Sequence, residues 1–131
     1  VEIDWIPGWE GTDIPNPSAL LQWAELFVQG MDGFQRSVRI NTRHVQHMME
    51  SVGFTDFKEQ VVQCYVNPWS DDDHEKNVAQ WFNLGLIDGL EAMSLVPFVE
   101  KHGMSREEVA ALAERVKIEC CKLRYHAHCR M

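Results

Sequence analysis

Residues 51–66, SVGFTDFKEQVVQCYV, decide the fold class. The stretch before them can be capped by Asn41 or Thr42. It then places Val45, Met48, Met49 and Val52 on one side of a helix over about 43–52. Gly53 follows at the C′ position, where a left-handed backbone carries no Cβ penalty. Beyond the glycine the pattern changes period. Phe57, Glu59, Val61, Gln63 and Tyr65 share one face; Lys58, Gln60, Val62, Cys64 and Val66 share the other, so 57–66 reads as a strand. Helix, glycine, strand is an α/β connection.

The flanks follow the same logic. At residues 1–5, Val1, Ile3 and Trp5 alternate with Glu2 and Asp4, the pattern of a half-buried strand. IPGWEGTDIPNP (6–17) holds three of the five prolines and two glycines, and reads as a loop. Ser18 caps a helix through about Asp32 whose apolar face carries Leu21, Ala24, Leu26, Phe27 and Val28. Trp23 reads as core, Gly30 and Gly33 loosen the helix end, and SVRI (37–40) reads as a short extended piece.

Downstream, Asp71, Asp72 and Asp73 precede a long helix from about His74 to Met93 or beyond, where acidic residues suit the positive end of the helix dipole. Pro97 is expected to break or bend that helix near Val96. Ser105 and Glu108 form a capping box, and the helix they open turns Val109, Leu112, Ala113, Val116 and Cys120 inward. LRYHAHCRM (123–131) closes as an extended run. One domain over 1–131 accommodates the whole order.

Composition narrows the function classes. A formal charge of −8 with no Lys/Arg cluster argues against nucleic acid. No apolar run is read as approaching the ~18 residues that cross a bilayer, so no membrane partner is expected. Cys64, Cys120, Cys121 and Cys129 form no CxxC, and adjacent Cys120 and Cys121 read as buried unbridged thiols, which points to an intracellular (cytoplasmic or nuclear) chain.

Candidate chemistry is sparse. Consecutive carboxylates at 71–73 diverge, so capping outweighs metal binding with His74. His126 and His128 share a strand face while Cys129 points away, and His44 and His47 read as helix-surface residues, so no metal site is expected. His126 or His128 can serve as a general base, with a hydrogen-bonded structural histidine as the simpler reading. Trp69 at a strand-to-helix turn and Trp81 near Gly85 are placed to line a pocket for a flat or apolar ligand; filling the core is the alternative. Gly85 and Gly89, four apart, permit a close helix approach or ligand contact. No GxGxxG, P-loop, GxSxG or HExxH occurs, so no cofactor-binding residue is assigned.

Three stretches taken together resemble one family. SVGFTDFKEQVV resembles the late helix-to-strand junction of class I S-adenosylmethionine-dependent methyltransferases. NPWSDDDHEKNVAQWFNLGLIDGLEAMSLVPF, with Trp81-Phe82 and GLEAMSL, resembles the following insert of the fungal LaeA-like members. GMSREEVAALAERVKIECCKLRYHAHCRM resembles their last helix and strand, and VEIDW is similar to the fifth strand of that fold.

The resemblance implies the C-terminal half of a Rossmann-like fold. It would be a three-stranded half-sheet in the order 1–5, 124–131, 57–66, covered by a helical lid of about 18–52 and 74–121. It implies S-adenosylmethionine as cofactor, not expected to bind this chain alone because the glycine-rich loop has no counterpart. It implies a small-molecule substrate lined by Trp69, Trp81, Phe82, Gly85 and Gly89, with His126 as base. Strand 1–5 would present a bare edge, covered by another chain or an exchanged copy. A velvet-type regulatory protein is a further implied partner. Two other functions stand beside methyl transfer in fungal secondary metabolism: a methyltransferase-derived cyclase or isomerase, and a non-enzymatic interaction module docking by strand addition.

Overall fold

The computed structural model describes residues 6–10, 13–39 and 41–131, with side chains described from residue 13 onward. The strand expected at 1–5 therefore lies outside the described residues. Seven elements follow in order: β1 (Ile6–Glu10), α1 (Ala19–Gly33), α2 (Thr42–Ser51), β2 (Gln63–Tyr65), α3 (Asp73–His102), α4 (Arg106–Cys120) and β3 (His128–Arg130). The class is mixed α/β, dominated by helix.

The sheet order is β1-β3-β2, with β3 antiparallel to both neighbours. Residues 6–10, read as loop, form β1; its register with β3 shifts between Ile6 and Glu10. An edge strand with an irregular register is where Pro7, lacking an N–H, is tolerated. Strand 57–66 shrinks to 63–65 and strand 124–131 to 128–130, the stretch over which the two ladder with each other. Backbone bonds from Val62 N–H to Met131 O (2.8 Å), Met131 N–H to Val62 O (2.9 Å) and Val66 N–H to Ala127 O (3.0 Å) continue the pairing by one residue at each end. The extended piece at Ser37–Arg39 joins no strand.

Each helix starts as its sequence specifies. Ser18 Oγ accepts from Leu21 N–H (3.1 Å), Asn41 Oδ1 from His44 N–H (3.2 Å) and Asp72 Oδ1 from Glu75 N–H (2.9 Å). Ser105 and Glu108 form both halves of the capping box. Gly53 takes φ +98° after α2, and Gly103 takes φ +67° after α3, the left-handed conformations that glycine adopts without strain.

The core lies where α1, α3 and α4 pack on one another, with α1 also against β1 and α3 against β2. Leu20, Trp23, Leu90, Phe98, Leu112 and Val116 are fully buried there. Cys64, Val66, Ala127 and Cys129 bring the inner faces of β2 and β3 into the same cluster. Trp23 Nε1–H donates to Ser94 Oγ (2.6 Å), which donates on to Leu90 O (2.5 Å), so the one polar atom of the largest core side chain is satisfied.

Pro97 does not break α3, which runs unbroken from Asp73 to His102. Its ring is buried against α1 instead, and a Cβ added at Gly30 would lie 2.7 Å from Pro97 Cβ. Gly30 thus permits a close helix crossing and does not loosen the end of α1. As one unbroken helix of thirty residues with an 18-residue window of mean hydropathy 1.3, α3 is long and apolar enough to cross a membrane by length and composition alone. That corrects the reading that no segment approaches this length. Leu86, Leu90 and Phe98 commit one side of it to the core.

Helix α2 stands apart. It buries no residue and packs on no other described element. Met48, Val52 and Phe54 are exposed, as are Val61 and Val62 on the approach to β2.

Candidate functional site

Two turns meet at one end of the β2–β3 pair. One leads from β2 into α3 and carries Trp69; the other leads from α4 into β3 and carries His126. Asn67 ties them together. It is fully buried, and its Nδ2 donates to Lys122 O (3.2 Å) and Tyr125 O (3.1 Å). Its own carbonyl accepts from Trp69 N–H (2.9 Å). From α3, Asn83 Nδ2 reaches Val66 O (2.8 Å) and Cys120 O (3.1 Å), fixing the same two chain segments from the other side. Capping-type amides that satisfy loop carbonyls are what hold irregular backbone in one geometry.

This stapling sets four rings in a row. Trp69 lies against His126 with centroids 4.4 Å apart, Tyr65 against Trp69 at 4.7 Å, and His128 meets Tyr65 edge-on at 6.4 Å. At the end of the row His126 Nδ1 pairs with Asp13 Oδ2 at 2.7 Å. Both side chains of that pair are nearly half exposed, 48% and 44%, so it contributes little to stability, on the order of 0–1 kcal/mol. Its chemical effect is orientation. A carboxylate on Nδ1 fixes the tautomer with the proton there and leaves Nε2 as the basic nitrogen, held against an aromatic face.

Two buried polar atoms at this junction have no hydrogen-bond partner among the described residues: Trp69 Nε1 and Asn67 Oδ1. Each unpaired group costs about 1–3 kcal/mol. The arrangement stacks an exposed, carboxylate-paired imidazole on the face of one indole within a single cluster.

Of the residues expected to form a site, Trp69 and His126 come together and the others do not join them. Trp81 sits on the outer side of α3 at 72% exposure and makes no ring contact with the cluster. Phe82 is partly buried against the core. Among the described residues an added Cβ at Gly85 would meet nothing within 4 Å, and at Gly89 the Met93 methyl at 3.6 Å, so neither glycine serves a close approach to another described helix. His44 and His47 are exposed on α2, and Asp72 is the α3 cap. Among the described residues no group of three His, Cys, Asp or Glu is placed to hold a metal. Cys120 is buried and Cys121 is exposed, correcting the expectation that both are buried. Burial pushes the Cys120 thiol up to about 12.

Asp13, Asn67 and Asn83 have no place in the sequence reading, and Tyr65 has only a place on a strand face. Asp13 belongs to a proline-rich loop with no periodicity, and its pairing with His126 spans most of the chain. Asn67 carried the one usable signal: an asparagine before Pro68 at the end of a strand marks a turn, and a turn at a strand end must satisfy its carbonyls.

Comparison with known proteins adds identity. No family model matches the chain, and no solved structure matches it. Among curated proteins it is similar to the secondary metabolism regulator laeA of Fusarium oxysporum f. sp. lycopersici, at 50% identity over 129 residues, 98% of this chain and 41% of that protein. It is equally similar, 50% over 98% of the chain, to the secondary metabolism regulator LAE1 of Gibberella fujikuroi. It is 32% identical over 98% of its length to the protein-methionine methyltransferase laeA of Chaetomium globosum, of which it spans 40%. The chain thus spans about two fifths of the length of the curated relatives it matches. Over nearly its whole length, this chain is homologous to a segment of the LaeA/LAE1 secondary metabolism regulators.

Proposed function

We propose that this chain is the substrate-side part of a LaeA-like S-adenosylmethionine-dependent methyltransferase, with the cofactor-binding half lying outside it. The observation that carries the reading is the match itself: 98% of this chain aligns with about two fifths of relatives of which one is named a protein-methionine methyltransferase. The strand order β1-β3-β2, with an antiparallel β3 in the middle, supports it, being the order implied for the last three strands of that fold. The unpacked apolar side of α2 supports it too, as a helix whose sheet is supplied by the missing half.

The described residues do not fit S-adenosylmethionine on their own. The turn from β2 into α3 contains no glycine and is capped by Asp72, so it offers the carboxylate of the cofactor no cradle of backbone N–H groups. On this reading the cofactor belongs to the preceding half, and this chain's contribution is positional. Asp13 holds His126 with Nε2 as proton acceptor, and Trp69 walls the approach to it, so a substrate placed there would lose a proton to His126 as it reacts. Trp81, Phe82, Gly85 and Gly89 would extend the substrate surface along α3.

The oriented His126–Asp13 pair favours one second reading, a methyltransferase-derived cyclase or isomerase, since a positioned base serves either chemistry without a methyl donor. Calorimetry separates the two. S-adenosylmethionine should give no binding heat with residues 1–131 and measurable heat with a longer chain that carries the preceding half. Binding by residues 1–131 alone would overturn the division of labour proposed here. If only the cyclase reading holds, His126→Gln will abolish turnover that needs no S-adenosylmethionine.

A further inference from the structure

One pair of nucleophilic side chains has no part in that site. The register of β2 and β3 sets Cys64 directly opposite Cys129, and residues directly opposite in an antiparallel pair project to the same face. Both are buried and neither is in a disulfide. The Cys129 thiol donates to the Cys64 carbonyl oxygen at 3.7 Å. Reciprocal bonds between Val62 and Met131 on one side, and the Val66–Ala127 bond on the other, make 64/129 a hydrogen-bonded pair. Such pairs hold their Cα atoms about 5.5 Å apart. That falls inside the span of roughly 4.4–6.8 Å that a disulfide bridges.

We propose that Cys64 and Cys129 are an oxidative modification site: a cross-strand thiol pair that a peroxide or a small disulfide converts to an intramolecular disulfide. With hydrogen peroxide, the Cys64 sulfur attacks one peroxide oxygen, the O–O bond breaks, and one water leaves with a sulfenic acid formed. The Cys129 sulfur then attacks the Cys64 sulfur, the S–O bond breaks, and the second water leaves. Two thiols and one peroxide give one disulfide and two waters. With oxidised glutathione, two successive exchanges release two molecules of glutathione.

Selectivity follows from the surroundings of each thiol. The Cys129 thiol, hydrogen-bonded to Cys64, pulls the Cys64 pKa below its ordinary value against the opposing effect of burial. Cys120 is held as the thiol, its pKa pushed up to about 12, and so stays unreactive. Cys121 is exposed but sits beside Cys120 in sequence, not across a strand. Access comes through β2, a three-residue strand at the sheet edge preceded by exposed Val61 and Val62, the kind of element that opens locally. The bridge would tie together the two strands from which the Trp69 and His126 turns spring.

The test is peptide mapping of the 131-residue chain after exposure to hydrogen peroxide or oxidised glutathione, with remaining thiols alkylated in denaturant. Alkylatable thiols should fall from four to two, with one linked peptide containing Cys64 and Cys129, reversed by dithiothreitol. Cys121→Ser should keep the link and Cys64→Ser should abolish it; the wild-type map decides alone should Cys64→Ser not fold. Four alkylatable thiols after oxidation, or a link through Cys120 or Cys121, would overturn the proposal.

Discussion

Helix α1 starts at a serine cap and α2 at an asparagine cap, and each carries an apolar side, yet α1 buries seven residues and α2 buries none. The difference is supplied from outside each helix. Capping and periodicity decide where a helix runs; only a partner surface decides whether its apolar side leaves water. In α1 the partners are α3 and α4, met so closely that Gly30 touches Pro97. In α2 the cap and the apolar residues are present without such a partner among the described elements.

This contrast can be broken most forcefully at Trp23. Trp23→Ala removes a fully buried ring and the hydrogen bond it donates to Ser94, and should cost about 3–5 kcal/mol in urea unfolding. A cost below 1 kcal/mol would mean that the three-helix core is not the stable body of the chain. Gly30→Ala tests the helix crossing. Its methyl would meet Pro97 Cβ at 2.7 Å, so stability should drop by roughly 1–3 kcal/mol, whereas alanine at an open helical glycine usually stabilises.

Ser105→Ala sharpens the comparison at a cap. Loss of the capping box should cost about 1 kcal/mol, since α4 is anchored in the core and its end cannot simply fray away. The same box has a pH signature. Backbone and side-chain hydrogen bonds from Ser105 hold the Glu108 carboxyl below its ordinary 4.5. A depressed folded-state pKa contributes stability above 4.5 that is lost as pH falls through the folded value. Urea midpoints followed below pH 5 should therefore decline less steeply in Glu108→Gln than in the wild type. The smallest effect is expected on α2: Met48→Ser should change the stability of this chain by no more than about 0.5 kcal/mol. In a longer chain that supplies a partner surface, the same substitution should cost several times more, and equal costs in both would mean that the apolar side of α2 gains no partner there.

Much of this architecture was legible locally. Ser18, Asn41 and Ser105 announce helix starts, Gly53 announces a helix end, and alternation puts Cys64 and Val66 on one face, which the structure shows to be the buried one there. Local rules failed at Pro97 and at residues 6–10. A proline in mid-helix is penalised by its own backbone, but the helix of α3 survives because the ring packs against α1 at a glycine. A proline- and glycine-rich stretch reads as loop until an edge position beside β3 gives it a strand to pair with.

The candidate site divides the same way. Trp69 could be singled out from its position at a turn and His126 from its residue type on a strand, because both are properties of short stretches; that His126 lies in the turn before β3 came only from the structure. That they stack on one another, that Asp13 orients the histidine and that Asn67 clasps both turns are facts of long-range contact. Residues three or four apart were enough to set where helices begin and which face of each is apolar, but not where α3 ends, because Pro97 is accommodated by packing against α1. Tertiary structure alone decided which apolar faces found partners, how far the strands extend and which side chains meet, since those depend on surfaces brought together from distant parts of the chain.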